Sequence, residues 1–532
     1  MDIITVLPQK SPEVTEPPEL TVFAEYLTHQ FDSTSSLEKR KVKGQFFTPR
    51  QVSLFMAGLF DVKRDVIRLL DPGAGTGVLI AAFCERLLSK ECPNKLVIDA
   101  YENDHSLIVP LYKTLERCKV ELNKKNCFLE FCIYEKDFIL SNIEYFKPSL
   151  FSKSDLSYYD CVIANPPYYK ISKNASPALL MSEIVEGQPN IYALFMALAI
   201  SMMKTDGEAV FITPRSFCSG LYFKRFRKWL IANVEIEAIH IFESRKDVFD
   251  DILQESIIIK VKRTPIPTKV QNILVSTSHD RTFSDLSTSS IKANRVVFKS
   301  KNDTYIRIPT TKTSLNALGV VDKWRATLHS LGLEISTGPV VAFRAEKFLV
   351  SEVTDNKACP LIWMHNLNKI KSTWPIEVKG KAKGIVNTKE TAPLLLPVDN
   401  YILIKRFTSK EQKRRLHASV LIKSEFPYEC VGLENHVNYI HKPRGKLTIH
   451  ETYGLAALFN TTLLDNYFRA LNGNTQVNAT EIRNLPLPDM ETIIEIGKIA
   501  LENSHLEIFG TELEDQIYKR LGLESILANK GP

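Results

Sequence analysis

From residue 44 to residue 263 the chain alternates short apolar runs with longer amphipathic ones. Ile67 to Asp71, Leu96 to Glu102, Cys127 to Ile133, Asp160 to Ala164, Glu208 to Thr213 and Ser256 to Val261 have the length and composition of strands. Between them, Gly77 to Ser89, Ser106 to Arg117 and Ile191 to Lys204 have helical length and periodicity. Such alternation predicts an α/β fold on a doubly wound, mainly parallel sheet, because parallel neighbours need a crossover helix. After Arg263 the rhythm stops. Thr264-Pro265-Ile266-Pro267-Thr268 reads as a linker, Ser276 to Ser290 is rich in Ser, Thr and Asp, and the remainder mixes short strands and helices into a second α+β domain. The Pro- and Glu-rich start is expected to be weakly ordered or to lie along the surface, and the C-terminal stretch reads as amphipathic helix. The predicted division is an arm at 1–40, an α/β domain at 41–263, a mixed domain at 264–490 and a helical segment at 491–532.

The 532 residues, 44% hydrophobic and 24% charged, are ordinary globular material. A formal charge of +7 permits a polyanionic partner without requiring one. Nine cysteines are dispersed with no C-x-x-C pair, which predicts reduced, mostly buried thiols and no metal site. The amino terminus has no basic-then-apolar leader, and the most apolar run, Ile191 to Met203, is too short to span a bilayer, so a cytoplasmic protein is expected.

Three successive strand ends carry polar residues. Asp71-Pro72-Gly73-Ala74-Gly75-Thr76-Gly77 is a glycine-rich turn between a strand and a helix, where a ligand can approach the backbone closely. The next strand ends on Glu102, where ribose hydroxyls would lie, and the third ends on Asp137-Phe138, an acceptor for an adenine amino group beside a ring that can stack. Taken singly, each is more often an ordinary polar residue at a strand end; three in register favour a nucleoside-containing cofactor.

The fourth strand runs directly into Asn165-Pro166-Pro167-Tyr168. An exocyclic amino nitrogen is a poor nucleophile because its lone pair is delocalised into the ring. Two acceptors aimed at its hydrogens, the Asn165 side-chain carbonyl and the Pro166 backbone carbonyl, favour the pyramidal nitrogen that attacks an S-adenosylmethionine methyl group. The prolines hold that pair rigid, and Tyr168 is placed to stack on a base. The bland alternative is a Pro-Pro turn closing a buried strand.

In motif order, residues 44 to 263 resemble the gamma class of N6-adenine DNA methyltransferases, the TaqI- and PstI-like modification enzymes of type II restriction-modification systems. Gly44-Gln45-Phe46-Phe47-Thr48-Pro49 precedes the glycine turn, followed by Glu102, Asp137-Phe138, Asn165 to Tyr168, Gly207 to Pro214 and Val248 to Ile257. The resemblance implies that Thr48, Asp71, Gly73, Gly75, Gly77 and Pro167 help bind S-adenosylmethionine, with Glu102 on its ribose and Asp137 and Phe138 on its adenine. It also implies that Tyr168 and Phe249 sandwich an adenine flipped out of double-stranded DNA. The expected partner activity is a separate cognate endonuclease acting on the same site without contact, and the expected form is a prokaryotic monomer.

The second half would then find the DNA sequence. Residues 401 to 450 hold ten Lys/Arg against four Asp/Glu, a local excess of +6. Candidate backbone contacts are Lys413, Arg414 and Arg415, on a helix expected to be capped at Thr408, and Lys442, Arg444 and Lys446 in a basic turn; a solvated face is the alternative. Asn472 to Arg483 resembles the closing segment of PstI-like recognition domains, although Asn478 with Glu481 makes a good helix cap and that reading is favoured. Ser336 to Arg344 resembles the entry strand of the same domain. The rival functions are methylation of a protein glutamine or an RNA guanine, which share Asn-Pro-Pro-Tyr, and a bifunctional restriction enzyme, for which no D…E-x-K cluster stands out.

Overall fold

A computed structural model describes residues 19–34, 44–148, 158–244, 255–264, 271–300, 303–354, 357–367, 370–408, 412–473, 476–505 and 507–523. It divides into two compact units, Met1–Phe217 with Tyr222–Ser290, and Cys218–Leu221 with Ile291–Pro532.

The first unit is built on nine strands: β1 (Val66–Asp71), β2 (Lys95–Tyr101), β3 (Phe128–Tyr134), β4 (Tyr159–Ala164), β5 (Met203–Pro214), β6 (Val234–Phe242), β7 (Ser256–Arg263), β8 (Asn272–Ser278) and β9 (Ser287–Lys292). Their order is β3-β2-β1-β4-β5-β7-β6-β8-β9. β1 to β5 pair in parallel and β7 is antiparallel to both neighbours. The expected doubly wound sheet is present. Its strand order reverses at β1, which has β2 on one side and β4 on the other, and that switch point is where an open α/β sheet leaves a crevice at its carboxyl edge.

The helices that matter are α1 (Leu20–Thr34), α2 (Arg50–Gly58), α3 (Val78–Ser89), α4 (His105–Asn123), α5 (Phe138–Phe146), α6 (Ser176–Leu180), α7 (Ile191–Ser201) and α8 (Lys224–Asn233). The arm expected to be weakly ordered contains α1, which buries Leu20, Ala24 and Leu27. The Thr21 backbone N–H donates to Glu85 Oε1 at 2.8 Å, and the Thr28 and Thr76 hydroxyls lie 2.6 Å apart. Buried Asp160 of β4 is compensated by Arg64 at 3.0 Å and Lys204 at 2.9 Å, as a charge withdrawn from water requires.

The boundary predicted at 263 falls inside this unit. β8 pairs in parallel with β6, and β9 continues the sheet beyond the predicted boundary, at the end of the Ser- and Thr-rich stretch. An edge strand with five of six residues solvent-facing or half-exposed carries no apolar signature to read.

The second unit is α+β, as expected. A four-stranded sheet joins Glu334–Thr337, Val437–His441, Tyr401–Lys405 and Ala418–Leu421, and a five-stranded sheet joins Leu349–Val350, Gly384–Val386, Ala358–Ile362, Cys430–Leu433 and Leu395–Pro397. The predicted C-terminal segment at 491–532 is not separate. Ile493, Ile496 and Ala500 of helix Met490–Glu502 share one core with Tyr453 and Ala457 of helix Ile449–Phe459, and Leu513 and Ile517 join it. Cys359 and Cys430 are paired on neighbouring strands, with Cα atoms 5.7 Å apart, against the expectation of nine reduced thiols. A separation of 71 residues gave no spacing signal for the pair.

Candidate functional site

The turn after β1 is a cradle of backbone donors. Gly75 and Gly77 adopt φ of +57° and +87°, a region other residues enter only with strain. The Ala74 N–H donates to the Tyr101 carbonyl at 2.9 Å, which ties the turn to the end of β2. Asp71 Oδ1 accepts the Gly73 N–H at 3.2 Å, while Asp71 Oδ2 is buried with no hydrogen-bond partner among the described residues. Burial pushes the Asp71 carboxyl up to about 8; the Gly73 bond opposes this, and nearby Glu102 adds to it. Glu102 accepts the Gly75 N–H at 2.9 Å and the Asp104 N–H at 2.8 Å, and burial raises it as well.

The third strand end differs from expectation in one residue. Asp137 is exposed and caps α5, its Oδ1 accepting the Leu140 N–H at 2.8 Å. Phe138 is 2% exposed, its ring centroid 5.2 Å from those of both Tyr101 and Phe195. It is therefore a core ring with no open face for stacking. A residue at the first position of a helix is pulled inward whenever that helix buries its first turn.

The catalytic tetrapeptide follows β4. Asn165 Nδ2 donates to the Phe46 carbonyl at 2.8 Å and to Thr48 Oγ1 at 3.0 Å, so both amide hydrogens are spent on the segment before α2. That network fixes the amide orientation and turns Oδ1 away. The Tyr168 hydroxyl lies 2.6 Å from Asn165 Oδ1 and 2.8 Å from the Ile212 carbonyl. Burial pushes the Tyr168 phenol upward, so it remains a donor. The Tyr168 ring lies 6.2 Å from Phe46 at an interplanar angle of 22°, with Tyr192 edge-on at 6.2 Å. Gly44 allows the close approach of these segments: at φ +61° its carbonyl accepts the Tyr168 N–H at 3.3 Å, and a Cβ there would stand 2.9 Å from that nitrogen. Pro166 is buried and Pro167 half-buried. The expected Phe249 lies outside the described residues.

Thus Thr48, the Asp71–Gly77 turn and Asn165 to Tyr168 come together in one unit. Thr28, Phe31 and Phe46 were missed: Phe31 meets the Phe47 ring at 5.7 Å, and a Cβ on Gly75 would stand 3.3 Å from Phe47. No motif marks Thr28 or Phe31, and Phe46, although inside the Gly44–Pro49 motif, acts through its carbonyl, which no residue type announces.

The chain is 34% identical over 478 residues to the type II methyltransferase M.BsuBI of Bacillus subtilis, covering 88% of this chain and 92% of that one. The chain belongs to the type II methyltransferases. It is also 33% identical to M.PstI of Providencia stuartii, over 90% of this chain and 94% of the relative. Residues 85–249 match the Eco57I restriction-modification methylase family. Among solved structures, the type IIL restriction-modification enzyme MmeI in complex with DNA shares the fold, with a TM-score of 0.53 at 13% identity over 96% of this chain and 74% of that one.

The methyl donor of this methyltransferase is S-adenosylmethionine. The residues present fit it: a glycine turn offering backbone N–H groups, the unpartnered Asp71 Oδ2, and Glu102 at the next strand end. Among the described residues no cluster of His, Cys, Asp or Glu is arranged to hold a metal ion, and no helix is long and apolar enough to cross a membrane.

The basic segment of the methyltransferase's second unit departs most from prediction. Residues 412–417 are irregular, with bends at 412, 413 and 415, and the described part of the expected helix is not helical. Arg414 is 8% exposed, with Nε 3.1 Å from His417 Nδ1, and Arg415 is 1% exposed, donating from Nε to Thr408 Oγ1 at 3.1 Å and lying over Phe468. Both are core residues and are withdrawn as backbone contacts. Lys442 pairs with Glu451 at 3.2 Å. Lys413, Arg444 and Lys446 are exposed and remain candidates. Asn472 is 2% exposed and bonded to Glu481 and to the Gln476 carbonyl at 2.9 Å, and the Asn478 N–H donates to Glu481 at 3.2 Å, so the capping reading stands.

Proposed function

We propose that this methyltransferase transfers a methyl group from S-adenosylmethionine to N6 of an adenine flipped out of double-stranded DNA, acting as a monomer beside a separate endonuclease. The observation that carries the reading is the fixed amide of Asn165, whose two hydrogens are held by the Phe46 carbonyl and Thr48 Oγ1. Its Oδ1 is thereby committed to accepting a hydrogen from an entering donor. A planar amino group needs that acceptor, and a second from the Pro166 carbonyl, to free its lone pair. In the protein alone the Tyr168 hydroxyl occupies Asn165 Oδ1. An entering amino group displaces it at small cost, because the hydroxyl keeps the Ile212 carbonyl at 2.8 Å. Held on the Ile212 carbonyl, the Tyr168 ring stays beside Asn165, where it stacks on the base. S-adenosylmethionine, when bound, supplies the electrophilic methyl group on a sulfonium.

The test is transfer of labelled methyl to duplex DNA followed by nucleoside analysis for N6-methyladenine. Asn165→Ala is expected to lower the transfer rate by about 10³-fold or more while S-adenosylmethionine affinity stays within about threefold. Label appearing in RNA or protein but in no DNA would overturn the substrate, and label on cytosine would overturn the base.

A further inference from the structure

Resting on the DNA reading above, we infer that the turn Lys379-Gly380-Lys381-Ala382-Lys383 in the second unit is a rigid clamp for the phosphate backbone of the DNA duplex. Three lysines occupy alternate positions with no acid among them. Lys379 and Lys381 are exposed; Lys383, at the base of the turn, pairs with Glu377. Gly380, at φ +76° with open space where a Cβ would stand, reverses the chain between the two exposed ammonium groups.

The turn is built rather than loose. An indole has a single N–H donor, and two tryptophans spend theirs here: Trp363 Nε1 donates to the Ala382 carbonyl at 2.8 Å and Trp374 Nε1 to the Lys383 carbonyl at 3.0 Å. The Lys381 ammonium lies 4.4 Å from the Trp363 ring centroid, which steadies the side chain without neutralising it. Beyond the turn, Gly384 and Ile385 pair with Val350 and Leu349 in the five-stranded sheet. A positively charged turn whose backbone is held by the two indoles presents the bases of its lysine side chains at a set spacing, and a regular row of phosphates is the partner that rewards this. A backbone already held, with Lys381 steadied on Trp363, lowers the ordering entropy of binding. Each phosphate neutralised releases condensed counterions, so the contact has a salt signature of its own.

The experiment measures equilibrium binding of the full-length protein to a 30-base-pair duplex of arbitrary sequence across about 50 to 200 mM salt. Lys379→Ala with Lys381→Ala is expected to weaken binding about tenfold at the lowest salt and to reduce the slope of log K against log salt by about 2. S-adenosylmethionine affinity and the thermal midpoint should stay unchanged. Arginine at both positions should restore most of the slope. A double variant with wild-type affinity and slope, in a wild-type protein that does bind duplex, overturns the clamp alone. Wild-type protein that binds no duplex overturns the DNA reading, and the clamp with it.

Discussion

Polar side chains of the first unit gather where β1, β2 and β4 end, whereas in the second unit Arg414 and Arg415 turn inward. Asp71, Glu102 and Asn165 are brought to one edge by topology: parallel strands joined by crossover helices all finish on the same side. Nothing comparable orients Arg414 and Arg415. They sit in an irregular segment whose backbone is held by buried Asp465, which accepts the N–H groups of both Arg415 and Leu416. Charge density along a chain therefore locates a surface only when the backbone forces the side chains outward.

Arg415→Ala puts this contrast to its hardest test. The guanidinium is buried on Phe468 and Thr408, and its charge opposes the burial that pushes Glu481 up to about 7. Removing it should cost about 3 kcal/mol, because a buried partner is left uncompensated. A fall in the denaturation midpoint with S-adenosylmethionine affinity retained is expected. Unchanged stability with weakened DNA binding would return Arg415 to the surface.

Asp71 offers the matching test in the first unit, with a smaller effect. Unfolded, its carboxyl titrates near 3.8; folded, near 8. Between those values the folded protein holds a proton that the unfolded chain has lost, so stability falls as pH rises. Over pH 5 to 7 this contributes a decline of about 2 kcal/mol in the cofactor-free protein. Asp71→Asn removes that decline, so thermal midpoints measured across this range should flatten relative to wild type. Parallel curves would show that Asp71 ionises normally.

These residues also show what was legible in the chain. The sheet, the glycine turn and Asn165 could be read because each lies at a strand end announced by an apolar run and a short motif. Helix α1 and the inward turn of Phe138 could not, since burial there depends on partners far along the chain, and strand β9 could not because it is almost wholly exposed and has no apolar run. The Trp-held lysine turn was overlooked for a related reason: its three charges are fewer than those of residues 401–450, and what sets them apart is Trp363 and Trp374, which reach the turn through side-chain bonds. Thr48 lies between these cases. Its motif was visible, but its bond to Asn165 was not. Thr48→Val deletes one of the two acceptors that orient the amide and should slow transfer about tenfold, with Thr48→Ser restoring it; equal loss in both variants would point to packing instead.

The smallest effect separates the exposed cations of residues 401–450 from the buried ones. Arg444 and Lys446 flank Gly445, which has φ of +140°, and both are exposed. Neutralising both should leave the denaturation midpoint untouched, as surface changes do, and weaken duplex binding by about two- to fivefold at low salt. That response is the inverse of Arg415→Ala, which loses stability. If Arg444→Ala with Lys446→Ala changes neither stability nor the salt slope, this turn owes nothing to phosphate recognition, and of the three exposed candidates Lys413 alone is left.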